Sequence, residues 1–407
     1  MNETSADMKL LETILDIGVA FLQNGAETWR TEDSLYRIAA GYGFTKCNFW
    51  VVPSNIQGTV TGSDGNCMTQ IRHIKGTGID FSRLEDLNAL SRYVCSEKPD
   101  PNILRSRLEE IIHAKEPPVW LNYASGVLAG AGFGIFFHCD ILDAAVAACA
   151  SLLITFLGRN LRKKERNPLI LNFIISFAAE LFIIASVSLG FGHHIGYITV
   201  GVVMLMISAL GATNGIRDLA HLDTLSGAMN LTQALTGASG IALGIALPLL
   251  LFRISDENEI VSLTGNPWLQ LAACTAGCIG FAFWFHMKYA RVLPCAVGAF
   301  LTWGAYLLFG NLLESMFVSV IAATIVCALY AQVMARIMKA PATIFHTVSI
   351  FPLIPGSALY YLMYGLVIRD SSLAVSKGIE LVVTCTGIVL GMMAVEVISR
   401  IIFMRRS

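Results

Sequence analysis

The sequence predicts a polytopic α-helical membrane protein with about ten transmembrane helices, arranged as two inverted five-helix repeats behind an N-terminal cytoplasmic α+β domain. Three observations carry that reading. Hydrophobic residues make up 55% of the 407 residues and charged residues only 14%, and the mean hydropathy is +0.63, well above that of a soluble chain. Apolar runs of bilayer length begin only after Pro117-Pro118. Beyond that point, apolar segments recur at an offset of 147 residues (355 − 208). The expected divisions are residues 1–118 for the α+β domain, 119–252 for the first membrane half and 253–407 for the second. A net charge of −1 speaks against a nucleic-acid partner, because neutralising phosphates needs a concentrated basic surface.

The amino-terminal region alternates helical and extended patterns. Leu11, Ile14, Leu15, Val19 and Leu22 form a helical stripe over Met8 to Leu22, closed by Gln23-Asn24-Gly25. Thr28 to Ala40 reads as a second helix with Arg30, Glu32, Asp33 and Arg37 on its polar side. Three β-prone runs follow, Cys47 to Val52, Ile56 to Thr61 and Cys67 to Ile74, separated by the turn signals Pro53-Ser54-Asn55 and Gly62-Ser63-Asp64-Gly65. Helices over Ser82 to Val94 and Pro101 to Ala114 complete the domain. Glu27, Arg30, Glu32 and His73 could form a polar site there, or simply a solvated face. The start, Met1 to Asp7, is polar and acidic rather than a secretory signal, so the amino terminus is expected in the cytoplasm.

Ten spans can be drawn: Val119 to Phe137, Ile141 to Leu157, Leu169 to Leu189, Ile195 to Thr213, Gly227 to Phe252, Trp268 to Phe285, Val292 to Phe309, Leu312 to Met334, Ala342 to Val367 and Gly378 to Ile398. The loop after the second span holds five basic residues, Arg159, Arg162, Lys163, Lys164 and Arg166, and is expected on the cytoplasmic side. Counting on from it puts Arg217, Lys288, Arg291, Arg336, Lys339, Arg400, Arg405 and Arg406 on that same side, with Arg253, Arg369 and Lys377 opposite. Both termini are then cytoplasmic, as in a multi-pass protein of a bacterial plasma (inner) membrane.

Segments beginning near Val119, Ile141, Leu169, Ile195 and Gly227 have counterparts near Pro267, Val292, Ser315, Ala342 and Ala374, and Gly130/Gly277, Phe136/Phe283, Gly240/Gly387 and Gly244/Gly391 match in identity. An odd number of spans per half inverts the second half, which is how transporters expose one site alternately to two sides. Two polar, glycine-rich interruptions at equivalent places, around Ser208 to Gly211 and Pro355 to Ala358, point to the site, because broken helices leave backbone groups that lipid does not tolerate and a polar cavity does.

Several side chains near those interruptions are chemically suited to a small charged ligand. Arg217 can pair with a carboxylate in bidentate fashion, and Asp218 or Asp223 can accept an ammonium group; a cytoplasmic loop ion pair is the alternative. Asn214, Pro355, Gly356 and Tyr360 complete the expected binding set. Glu180 lies mid-span, where an ionised carboxylate costs several kcal/mol, so it is expected to be protonated, paired or facing water, and suits a proton-coupling role. Gly237-Ala238-Ser239-Gly240 is similar to the serine motif of rhomboid intramembrane proteases, which would need His286 or His346 as base, but small residues four apart are explained by close helix packing. His193-His194 in a short extracellular turn are expected to be solvated. The ten cysteines show no metal-site spacing, and neither a metal nor any other cofactor is expected.

The stretches N-G-A-E-T-W-R-T-E-D-S-L (Asn24 to Leu35), N-G-I-R-D (Asn214 to Asp218), L-D-T-L-S-G (Leu222 to Gly227) and F-P-L-I-P-G-S-A-L-Y (Phe351 to Tyr360) together resemble the threonine/serine exporter family, across nearly the whole chain. That family's Pro-Gly shortly before the N-G-I-R-D motif is replaced here by Ser208-Ala209. The resemblance implies a secondary active exporter of threonine and serine, an antiporter driven by protons, and not an enzyme. Split relatives associated with succinate export keep a dicarboxylate as the alternative substrate. The expected partners are the small carboxylate substrate, protons and the lipid bilayer, with homo-oligomerisation left open.

Overall fold

The computed structural model describes residues 3–62, 65–76, 78–162, 164–165, 167–207, 209–254 and 265–404. Ser63, Asp64, Lys163, Arg166, Ser208, Arg405 and Arg406, which the sequence reading uses, lie outside the described residues. The chain divides into two compact units. One gathers Met1–Pro117, Phe285–Lys288 and Ala335–Ile344; the other takes Pro118–Trp284, Tyr289–Met334 and Phe345–Ser407.

In the first unit, α1 (Glu3–Gln23) and α2 (Thr28–Gly41) precede a three-stranded antiparallel meander of β1 (Lys46–Val52), β2 (Asn55–Thr61) and β3 (Cys67–His73), followed by α3 (Phe81–Glu97) and α4 (Pro101–Ile112). Val52 pairs with Asn55, so Pro53-Ser54 forms a two-residue hairpin loop. Alternation along β2 buries Ile56, Gly58 and Val60 under α1, whose Leu11, Ile14 and Leu15 are fully covered. Helix and sheet approach so closely at Gly58 that a Cβ there would lie 2.9 Å from a Leu15 methyl group. Asp80 caps α3 by accepting from the Arg83 amide, and Asp100 caps α4 ahead of Pro101. Within the same unit, His286 Nδ1 lies 3.0 Å from Asp80 and Lys288 Nζ 2.6 Å from Asp86.

The second unit is all helical. Its first half holds α5 (Val119–Phe136), α6 (Ile141–Leu161), α7 (Pro168–Ser188), α8 (Ile195–Val203), α9 (Ala209–Ala220) and α10 (Thr224–Leu251). α11 (Pro267–Trp284), α12 (Tyr289–Leu313), α13 (Met316–Met338), α14 (Ala342–Ser349), a 3-10 turn (Phe351–Leu353), α15 (Gly356–Ile368) and α16 (Ser371–Met404) follow, with the end of α13 and the start of α14 belonging to the first unit. Among the described residues, eight stretches are long and apolar enough to cross a membrane: α5, α6, α7, α10, α12, α13, Phe351–Ile368 and Ser371–Ser399. Of the ten drawn from sequence, the fourth is divided between α8 and α9, and the sixth falls on α11, which is not one of the eight.

The first interruption falls between α8, which ends at Val203, and α9. Ser208 to Gly211 is its sequence signal; α9 runs from Ala209 and carries Gly211, Asn214 and Gly215 inside the helix. Beyond Val203 the turns continue in a tighter form, the Leu205 amide donating to the Val202 carbonyl and the Met206 and Ile207 amides to that of Val203, so the described part of the path ends at Ile207. The glycines serve packing instead. A Cβ on Gly227 would lie 2.7 Å from the Gly215 carbonyl oxygen, and one on Gly215 2.9 Å from that of Gly227, so α9 and α10 touch backbone to backbone.

Equivalent helices begin at a near-constant spacing: α5 and α11 at 119 and 267, α6 and α12 at 141 and 289, α7 and α13 at 168 and 316, α8 and α14 at 195 and 342, α9 and α15 at 209 and 356, α10 and α16 at 224 and 371. Packing repeats at the same spacing. Gly240 and Gly244 seat α10 against Leu169 and Phe173 of α7, and Gly387 and Gly391 seat α16 against Val320 and Thr324 of α13. Gly240 belongs to the serine motif considered above, and the Ser239 hydroxyl donates to the Leu235 carbonyl of its own helix at 2.7 Å. Close helix contact therefore accounts for that motif.

Candidate functional site

The two chain breaks meet. Gly356, the first residue of α15, sits where a Cβ would lie 2.7 Å from Met204 Sδ and 3.2 Å from Ile207 Cγ2, in the tightened turns that lead from α8 into the first break. Pro355 (φ −77°, ψ 58°) turns the chain there, and the Gly356 amide donates to the Ile354 carbonyl at 2.7 Å across it, an inverse γ-turn. Around this junction Ala212 of α9, Ala234 and Ala238 of α10, Ala358 and Leu359 of α15 and Cys385 of α16 form one buried cluster. Thr213 and Cys385 approach within 3.8 Å.

Helix α9 brings its charges inward from that junction. Arg217 is 3% exposed and Asp218 4%, an unusual depth for either residue type. Asp218 Oδ2 accepts from Asn230 Nδ2 of α10 at 2.9 Å. Asp223 is placed differently: Leu222 takes a left-handed conformation (φ 66°), and Asp223 then caps α10 by accepting from the Ser226 amide at 3.2 Å. Its carboxylate is committed to the helix start. Asn214 is half-buried on α9, while Tyr360 is buried on α15 with its ring 5.0 Å from that of Tyr361 and 5.7 Å from that of Tyr364. At the far end of α9, His221 lies 3.6 Å from Glu396 of α16.

Glu180 is 1% exposed on α7, and its Oε2 accepts from Thr199 Oγ1 of α8 at 2.9 Å. That bond attaches the carboxyl to the half-helix that runs into the first break. Thr199 and Asn230 escape a search for charged residues; the available signal was a polar side chain within an apolar run, T in I-T-V-G-V-V and N in A-M-N-L.

A second polar constellation closes the α7–α8 turn. Asp143, fully buried on α6, accepts from the amides of His193 and His194 at 2.7 and 3.2 Å and from His194 Nδ1 at 2.8 Å. Asp140 meets His193 Nδ1 at 2.6 Å. The two histidines are about half exposed, but neither ring is merely solvated. Asp140, Asp143 and His193 place three metal-ligand atom types within 4.8 Å of one another, while the bonds just given already employ all three in capping α6 and holding the turn. Asp143 was the legible member, as a carboxylate inside an apolar run.

The His193–Asp140 contact sets a pH dependence. The hydrogen bond to Asp140, and then its charge, holds His193 above the ordinary histidine value of 6.5. The Asp143 amide, and then the His193 ring, holds Asp140 below the ordinary carboxylate value of 3.8. The raised histidine stabilises fully below 6.5 and loses its contribution as pH rises through the raised value. The lowered carboxylate contributes above 3.8 and is lost only as pH falls through its own lowered value. The turn is thus held best in mildly acidic solution, by a small margin because both groups face solvent. Hydrogen exchange at the His193 and His194 amides, corrected for intrinsic rate, is expected to be more protected at pH ~5.5 than at ~8.5. Equal or rising protection would contradict this.

In the first unit, Glu27 and Arg30 come together as an ion pair of 3.2 Å facing a cavity, whereas His73 is exposed on β3 and neither it nor Glu32 lines that cavity.

Comparison with known proteins places these features in context. A family model described as "Putative threonine/serine exporter" matches residues 12–252, and one described as "Threonine/Serine exporter, ThrE" matches residues 270–398. A "Probable threonine/serine exporter" of Mycobacterium tuberculosis is 22% identical over 377 residues, covering 89% of this chain and 71% of that protein. A "Threonine/serine exporter" of Corynebacterium glutamicum is 22% identical over 369 residues, covering 86% of this chain and 74% of its own. No solved structure gives a significant match.

Proposed function

This chain belongs to the threonine/serine exporter family, and on that premise we propose that it is a secondary active exporter of threonine and serine, exchanging them for protons across a bacterial inner membrane. The observation that carries the site is the meeting of Gly356 with Met204 and Ile207 beside the buried Arg217 and Asp218. Arg217 takes the substrate carboxylate, helped by Tyr360, Asn214 and the backbone groups freed at Pro355 and Gly356. Asp218 receives the ammonium group. Asp223 contributes through the shape of the α9–α10 turn. A dicarboxylate would bring its second anionic end against Asp218, so an amino acid fits better. Export, rather than catalysis, is the activity that the family descriptions name.

Glu180 carries the proton. Its bond to Thr199 means that a change of protonation is felt directly by α8 and hence by the first break. The common spacing of helix starts and the matched glycine seams of α7 with α10 and α13 with α16 support two repeats. With α8–α9 and α11 counted as crossings beside the eight apolar stretches, each half crosses five times and the second is inverted. The cytoplasmic side then holds both termini and the α+β domain of residues 1–118.

Uptake of labelled threonine, serine and succinate into sealed proteoliposomes, with and without an imposed pH gradient, tests this reading. Gradient-driven movement of threonine or serine with succinate inert is the expected result. Movement of succinate alone would overturn the ammonium site, and no movement of any of the three would overturn the transport assignment.

A further inference from the structure

The transport reading leaves one of the family-like motifs unused, the stretch Asn24 to Leu35. It builds one wall of a cavity of about 600 Å³ within the first unit, a size typical of small-molecule sites. Glu27, Trp29 and Arg30 of this stretch face Ser91 and Arg92 of α3, and Thr343 near the start of α14 completes the lining.

The charges in this cavity are ordered. The Glu27 side chain is 11% exposed; it pairs with Arg30 at 3.2 Å and lies 3.5 Å from the Thr343 hydroxyl. Arg30 also lies over the Trp29 ring, 5.1 Å from its centroid. Ser91 and Thr343 are buried, whereas Arg92 is exposed at the mouth and donates to the Lys339 carbonyl at 3.1 Å. Arg37 and Asp33 form a solvated pair of their own on the rim. The lining therefore carries a largely covered carboxylate, the Arg30 guanidinium paired with it and the exposed guanidinium of Arg92. A simple anion would meet Glu27 with like charge, and a simple cation would meet Arg30 and Arg92. A molecule with an ammonium and a carboxylate on neighbouring atoms satisfies both.

We infer that this cavity is a binding site for a free α-amino acid, its ammonium group on Glu27 and its carboxylate between Arg30 and Arg92. The volume leaves room for water around a ligand of that size. Glu27 and Arg92 also contact the chain that leads from α13 into α14, Arg92 at Lys339 of the linker and Glu27 at Thr343 in the first turn of α14. Binding at the cavity thus competes with these contacts on a chain that continues through α14 to the Phe351–Leu353 turn. The site is an effector site, distinct in its residues from Arg217 and Asp218. The choice of threonine and serine as probes rests on the proposed transport function; the amino-acid class rests on the charges.

Cys95 lines the cavity and is exposed, and Cys67 is exposed on β3 away from the lining. Full-length protein in detergent is pulsed with N-ethylmaleimide, and alkylation at each cysteine is followed by mass spectrometry while threonine, serine or succinate is titrated. The expected result is slowed alkylation at Cys95 but not at Cys67 with threonine or serine, and none with succinate. Arg92→Ala or Glu27→Gln should weaken that protection at least ~10-fold, and Arg217→Ala should leave it intact. Absence of protection by either amino acid, equal protection by succinate, or protection lost in Arg217→Ala and kept in Arg92→Ala would each overturn the inference. Protection at Cys95 in a protein that moves no substrate in proteoliposomes would sustain this site while the transport assignment falls.

Discussion

Replacing Arg217 with Ala is expected to abolish export of threonine and serine while the protein still reaches the membrane. The side chain is 3% exposed on a short helix that begins at the meeting point of two chain breaks. Removing one partner of a desolvated charge pair costs ~2–5 kcal/mol, or roughly 30- to several-thousand-fold in affinity. Arg217→Lys keeps the charge but not the planar fork that meets a carboxylate with two bonds, so it should recover transport only partly. Counterflow of labelled threonine in proteoliposomes measures both variants. Undiminished counterflow in Arg217→Ala would remove this residue from the site.

Glu180→Gln is expected to separate movement of substrate from its driving force. Glutamine keeps the shape and an oxygen that can still accept from Thr199 Oγ1, which lies 2.9 Å from the carboxylate in the native chain. What it loses is the ability to take up and release a proton. Threonine should still exchange for threonine across the membrane, while an imposed pH gradient should no longer drive net movement. A variant that remains gradient-driven would show that the proton travels by another group. Loss of exchange together with gradient dependence would place Glu180 in substrate binding instead.

Much of the helical framework was legible, because apolar runs of bilayer length are a strong signal and turn residues punctuate them. β1, β2 and β3 start and end within about a residue of their expected bounds, since Pro53-Ser54 and Gly62 are unambiguous turn formers. The tightening of the chain at the end of α8 has no local signal. Met204 to Ile207 contains no proline or glycine, and the turns tighten there where Met204 and Ile207 pack against Gly356, about 150 positions away. Conversely, Asn214-Gly215 looked like a helix breaker but serves the close approach of α9 to α10 at Gly227. Local propensity cannot distinguish a glycine that turns the chain from one that admits a neighbour. The Asp143–His194 contact was invisible for the same reason, being 51 residues apart in sequence.

The two breaks differ in what it would take to mend them. Phe351 to Pro355 contains two prolines, each lacking an amide hydrogen and each crowding the preceding residue out of helical geometry. Joining α14 to α15 as one rod would cost ~3 kcal/mol or more per interior proline. Met204 to Ile207 carries no proline, and its amides still bond to the Val202 and Val203 carbonyls. The second junction is therefore held bent by its own sequence, whereas the described part of the first is held by its packing on Gly356.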